Sequence, residues 1–218
     1  VNTRLGVGYL EQGQLQIAMD KLEQAVRLDP DHAPAFLALG IVYERIGRVD
    51  LALDHLSRAV DLAPDDGSIQ NSYATLLCRA ERYEEADEHF MLALDDPFYS
   101  SPEVVLANAG SCARRANEFE SAERYLRETL IIDPDNQIAL FNLAGLFYEQ
   151  GEHLRARAFL QRLESQEPAL DPESLLLGFR NENALGSSVE AQRYATALEN
   201  YYPNTPQASF LRRQQNND

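Results

Sequence analysis

Two cysteines, Cys78 and Cys112, stand 34 residues apart, with Arg79 directly after the first and Arg114 and Arg115 close behind the second. Such a cysteine pair offers either one disulfide or two thiols serving as small apolar residues. It is too small for a disulfide framework and lacks the spacing of a metal motif. The arginines offer planar forks that pair with carboxylates or phosphates. The stretch NAGSCARRANEF, Asn108 to Phe119, sets Cys112, Arg114 and Arg115 among small residues, in a chain with 19 basic against 35 acidic side chains and a formal net charge of −16. That balance argues against a broad nucleic-acid or anionic-lipid footprint, so any anion recognition is local. His32, His55, His89 and His153 are scattered, and no Asp, Cys or His partners complete a metal site around them. No Gly-rich phosphate loop, no G-x-S-x-G and no set-apart carboxylate pair occurs, which points away from an enzyme and from a bound cofactor.

The elements that must position these groups follow from a repeat. The chain has 218 residues, 44% of them hydrophobic, which is the composition of a globular protein. No run approaches the ~18 apolar residues of a membrane span, and VNTRLGVGYL lacks the charged and apolar regions of a leader. Pro30, Pro64, Pro134 and Pro168 lie at intervals of 34, 70 and 34 residues. Aligned on them, Leu5-Gly6, Tyr9, Ala18, Leu22 and Ala25 match Leu39-Gly40, Tyr43, Ala52, Leu56 and Ala59. A third copy carries Tyr73-Ala74, Leu77, Ala86, Phe90 and Ala93, with a connection two residues longer through Pro97. A fourth has Ala109-Gly110, Ala113, Ala122 and Leu126, and a fifth Leu143-Ala144, Phe147, Ala156 and Leu160. The sixth, read from Leu177-Gly178 to Pro203, requires one extra residue between its helices.

This pattern resembles the tetratricopeptide repeat, although tryptophan is absent from its usual first position. Within each copy apolar residues recur twice at helical spacing around a short turn. Gly13, Gly47 and Gly151 suit that turn because it needs positive φ; Asn117 is the next most tolerant residue there, and Glu81 is a costly one. Pro30 and Pro64 stop the second helices, and Asp31 or Asn136 can cap the next. Small residues such as Gly40, Ala52 and Ala59 allow close helix approach, while Tyr43 and Leu56 fill wider gaps. The expected fold is all-α: a right-handed superhelix, or solenoid, of six helix-turn-helix repeats in a single domain over 1–218. Repeats run over about 1–32, 33–66, 67–102, 103–136, 137–170 and 171–204, followed by a polar-faced capping helix over 205–214. His55 and His89 then share a position on second helices, expected on a solvated convex face. Cys78 and Cys112 fall near the ends of neighbouring first helices. Ala109 and Ala113 permit close approach there, so a bridge is sterically open and so are two free thiols. A bridge would point outside the cytosol.

The tetratricopeptide resemblance implies that first helices line a concave protein-binding groove. Carried over, its groove positions include Arg45 in copy two; Asn71, Thr75 and Arg79 in copy three; Asn108, Ser111, Arg114 and Arg115 in copy four; and Phe141, Asn142 and Tyr148 in copy five. Amides there could pair with the backbone of an extended peptide and arginines with its carboxylates. The alternative is that the arginines pair with Glu44, Glu118 or Glu149 and solvate a helix face. The family's clamp for chaperone C-terminal carboxylates needs Lys and Asn where this chain has Thr3, Val7 and Ala38, so that partner is not expected.

LGVGYLEQG (Leu5 to Gly13), RYEEA (Arg82 to Ala86), SLLLGFR (Ser174 to Arg180) and YYP (Tyr201 to Pro203) narrow the field. These strings resemble the type IV pilus biogenesis and stability proteins, the PilF/PilW family, over nearly the whole chain. That resemblance implies a pilotin: a lipoprotein at the periplasmic face of the outer membrane that promotes localisation and multimerisation of the pilus secretin. Its expected partner is the secretin, with no nucleic acid, and with membrane contact only through a lipid anchor that these residues do not contain. Where family members often show Asn-Asn-Tyr-Gly, this chain has Asn71-Ser72-Tyr73-Ala74. A general tetratricopeptide adaptor for extended peptides of another periplasmic or cytosolic complex is the alternative.

Overall fold

The computed structural model describes residues 1–166 and 170–215. They form thirteen α-helices, with no strand among the described residues. The helices are α1 (Asn2–Glu11), α2 (Leu15–Leu28), α3 (Ala33–Arg45), α4 (Val49–Leu62), α5 (Gly67–Arg79), α6 (Tyr83–Asp95) and α7 (Pro102–Arg115) in one compact unit, Val1–Ala116. The second unit, from Asn117 onward, holds α8 (Phe119–Ile132), α9 (Gln137–Glu149), α10 (His153–Gln166), α11 (Pro172–Ala184), α12 (Ser188–Tyr201) and α13 (Pro206–Gln215).

In the first unit α1 packs on α2, α3 on α4 and α5 on α6, and each second helix also packs on the first helix that follows it. The first helices α1, α3, α5 and α7 touch in sequence, whereas α2, α4 and α6 do not touch one another. This unit therefore curves with the first helices on its inner side. Close approach within a pair depends on glycine. A Cβ on Gly6 would lie 2.5 Å from Leu22 Cγ, and one on Gly40 would lie 2.5 Å from Leu56 Cγ. Both leucines are essentially without solvent contact, so the small-on-large pairing is the core of each repeat.

The turns close as the sequence requires. Gly13, Gly47 and Gly151 hold φ of 72°, 76° and 76°. In each turn the next residue's amide donates back to the helix, as Arg48 does to the Tyr43 carbonyl at 2.8 Å, which completes a Schellman cap. Asn117 and Glu81 adopt the same conformation at φ of 63° and 62°. A glutamate there sets its Cβ against the backbone at a cost of about 1 kcal/mol. Glu81→Gly is therefore expected to stabilise the chain by about 1 kcal/mol in urea unfolding.

Helix starts depart from expectation at one cap. Asn136 accepts from the Ala139 amide at 3.0 Å, but Asp31 does not cap α3. His32 is the N-cap there and makes no side-chain cap bond, while the Asp31 carboxylate meets Arg58 at 3.1 Å. Asp66 and Asp171 cap α5 and α11 instead. Pro30, Pro64 and Pro134 each follow their helix by two residues, and the same role expected of Pro168 lies outside the described residues.

The longer connection after α6 is pinned by Asp96. Its carboxylate accepts from the Gly67 amide at 2.9 Å and the Phe98 amide at 2.8 Å. These bonds hold its acidity stronger than that of an ordinary aspartate. A side chain at Gly67 would strike the Ala93 carbonyl, so the connection lies directly on the start of α5.

The sixth repeat corrects the register. Its turn, Leu185–Ser187, is three residues long like Gln150–Glu152 of the fifth, with Gly186 at φ 72°. Buried Ala139, Leu140, Ala144 and Phe147 of α9 correspond, 35 residues on, to buried Ser174, Leu175, Phe179 and Glu182 of α11. The additional residue thus precedes α11 and does not lie between the repeat's helices. Leu177-Gly178 consequently does not occupy the place of Leu39-Gly40. Phe179 stands at the small-residue position and Ala195 at the large one, in one shared core cluster. Beyond them α13 buries Ala208 and Leu211 against this cluster and closes the unit's end.

Candidate protein-binding groove

In the first unit the amide-bearing residues meet on neighbouring first helices. Asn108 Nδ2 on α7 donates to Asn71 Oδ1 on α5 at 3.1 Å, and the Asn71 side chain also bonds to the Tyr99 hydroxyl. Burial pushes the Tyr99 phenol up, so it stays protonated. Thr75 and Ser111 donate their hydroxyl protons to the carbonyls of Asn71 and Ala107, each at 2.8 Å. Tyr99 had no sequence signal, because it comes from the non-repeating connection.

The arginines divide into structural and available ones. Arg45 Nη1 donates to the Leu10 carbonyl at 3.0 Å, satisfying a terminal acceptor of α1. Arg79 forms an exposed ion pair with Glu44, one of the pairings foreseen as the alternative to binding. Arg114 is half-buried and is not free. Arg115 is exposed and makes no ion pair among the described residues.

Cys78 and Cys112 are joined by a disulfide, with Cα atoms 5.8 Å apart. The local period from α5 to α7 is 36 residues, since Arg79 and Arg115 both end their helices. The two cysteines are therefore not repeat equivalents. Cys78 faces forward along the stack and Cys112 faces back, which lets them meet. With Thr75, Arg79, Phe90, Asn108, Ser111 and Arg115 they line a cavity of about 170 Å³.

In the second unit Phe141 is half-buried against two core clusters, one including Leu163 and Leu175 and the other Leu160 and Leu177, and Asn142 Nδ2 donates to the Ile138 carbonyl at 2.9 Å. Both border a cavity of about 330 Å³ with Leu170, Asp171 and Ser174. Tyr148 leans on the His153 ring with centroids 5.5 Å apart.

His55 and His89 are not on the solvated face expected of them. His55 stacks on Tyr43 at 5.0 Å, and His89 meets the Tyr73 edge at 4.7 Å while its Nδ1 pairs with Gln70 Oε1 at 2.6 Å. Both are half-buried, and burial lowers their basicity. Their shared position is a packing position between the paired helices. Among the described residues no group of three or more His, Cys, Asp or Glu side chains is placed to hold a metal ion.

The chain matches the tetratricopeptide repeat family model over residues 3–67 and 108–173. It is 27% identical over 200 residues to the type IV pilus assembly protein PilF of Pseudomonas aeruginosa, covering 92% of this chain and 79% of that protein. The crystal structure of PilW, described as a widely conserved type IV pilus biogenesis factor, is 28% identical and superposes with a TM-score of 0.91 over 96% of both chains. The structure of Pseudomonas aeruginosa PilF is 25% identical, with a TM-score of 0.82 over 98% of this chain and 96% of that one. Repeat register, turn geometry and these similarities agree: the chain belongs to the tetratricopeptide repeat family and is a homologue of the type IV pilus biogenesis proteins PilF and PilW.

Proposed function

We propose that this protein is a non-catalytic scaffold of type IV pilus biogenesis, a pilotin-like lipoprotein that promotes outer-membrane localisation and multimerisation of the pilus secretin. The observation that carries this reading is the match to PilW across 96% of both chains at 28% identity. Two features support the binding role: amides and arginines gathered on first helices, and cavities of about 170 and 330 Å³ beside them. The disulfide favours an oxidising compartment, which suits the periplasmic face of the outer membrane.

Deletion of the gene tests the reading. Secretin multimers, resolved by immunoblot without boiling, are expected to collapse to monomer, and surface pili to vanish while pilin is still made. Normal multimers in the deletion strain would exclude the pilotin role and leave an adaptor for another complex.

A further inference from the structure

We propose that the cavity between α5 and α7 is a side-chain subsite. It takes one apolar side chain of an extended, acidic segment of a protein partner, seated on the Cys78–Cys112 disulfide with flanking carboxylates at Arg115 and Arg79. This rests on the scaffold reading and specifies what the scaffold grips.

Size selects the occupant first. The cavity of about 170 Å³ is below the roughly 300–1,000 Å³ of small-molecule and cofactor sites. It is close to the ~150 Å³ that accommodates a benzene-sized group, so one leucine or phenyl side chain fills it. Its wall chemistry agrees. The buried disulfide and Phe90 form an apolar floor, and Thr75 and Ser111 have their hydroxyl protons committed to backbone carbonyls. Little on the floor rewards a polar tip.

The rim selects what flanks that side chain. Arg115 is exposed with no ion pair among the described residues, and Arg79 is held only by an exposed pair with Glu44. Exposed pairs are weak, so a ligand carboxylate can displace Glu44. A chain of net charge −16 repels acidic segments in general, and these guanidiniums reverse that locally. Asn108 gives one amide proton to Asn71 and keeps its carbonyl oxygen to accept from a backbone N–H. Extended backbone, one apolar anchor and acidic neighbours are the three requirements.

Nuclear magnetic resonance titration of the isotope-labelled full chain tests this with three probes. They are acetyl-Asp-Glu-Leu-Asp-Glu-amide, the same peptide with glycine for leucine, and acetyl-Lys-Arg-Leu-Arg-Lys-amide. The acidic leucine peptide is expected to shift α5 and α7 resonances saturably and to bind about tenfold more tightly than the glycine peptide, with no binding of the basic one. Arg115→Glu should weaken it by about tenfold. Thr75→Phe, which fills the cavity from its wall, should abolish the preference for leucine over glycine. Both variants should keep the wild-type helical signal and melting temperature. Equal binding of leucine and glycine peptides, binding indifferent to Arg115→Glu, or no saturable binding would each overturn the subsite. Loss of secretin multimers on gene deletion alongside any of those results would leave the pilotin reading standing, whereas binding without a pilus phenotype would do the reverse.

Discussion

Arg157→Leu is expected to destabilise the protein by about 3 kcal/mol, measured by urea unfolding at neutral pH. Arg157 on α10 grips Glu182 on α11 with both arms of its guanidinium, Nε donating to Oε1 at 2.9 Å and Nη2 to Oε2. Glu182 has 3% of its side chain exposed, against 30% for Arg157. Removing the arginine leaves a nearly fully buried carboxylate in the repeat interface without its ionic partner. The loss falls at the lower end of the usual range for broken buried pairs because the guanidinium side of the site still meets solvent. The equivalent of Glu182 in the fifth repeat is Phe147, so this position can be apolar. A double replacement, Arg157→Leu with Glu182→Phe, should therefore recover most of the stability. A double variant as unstable as the single one would mean that overpacking, and not the orphaned charge, sets the cost.

Replacing both cysteines by alanine, Cys78→Ala with Cys112→Ala, is expected to cost roughly 3 to 4 kcal/mol. The bridge closes a loop of sequence separation 34, and the chain-entropy relation gives that magnitude for a loop of this length. The lost stability should reside in the first unit, so hydrogen exchange of α5 and α7 amides should accelerate while that of α11 and α12 is unchanged. A reductant acting on the wild type should reproduce the effect, and an unchanged unfolding midpoint would show that packing around Ala109 and Ala113 already holds these helices. The effect is largest here because the fourth repeat is thin: in copies one, two, three and five, Leu or Tyr stands at the place of Ala109, and Tyr, Leu or Phe at that of Ala113.

Much of this molecule is written in local sequence. Periodic small and large residues set the helix pairs, because a glycine at one position must receive a leucine sixteen residues later, as Gly40 receives Leu56. Glycines at 13, 47 and 151 marked turns because few other residues accept positive φ, and Asn117 followed by the same rule. The cysteines, the amides and the arginines could be located on first helices for the same reason: repeat register converts position into face.

Tertiary structure decided what register could not. Whether Arg79 faces a ligand or Glu44, and whether Arg45 serves a groove or the end of α1, depends on side chains from a neighbouring repeat whose distance no periodicity encodes. The half-buried stacking of His55 and His89 came from contacts with Tyr43 and Tyr73 across the helix pair. In the sixth repeat the Leu177-Gly178 pair misled the alignment by one residue, because Phe179 and Ala195 exchange the usual small and large roles and the close approach falls one position earlier, where Gly178 meets the Tyr194 ring. Sequence alone thus determined which residues form helices and on which helices the functional groups ride. Packing between helices decided their register at the end of the chain and which charges are consumed, since both depend on complementary shape and partner distance, which residue order does not carry.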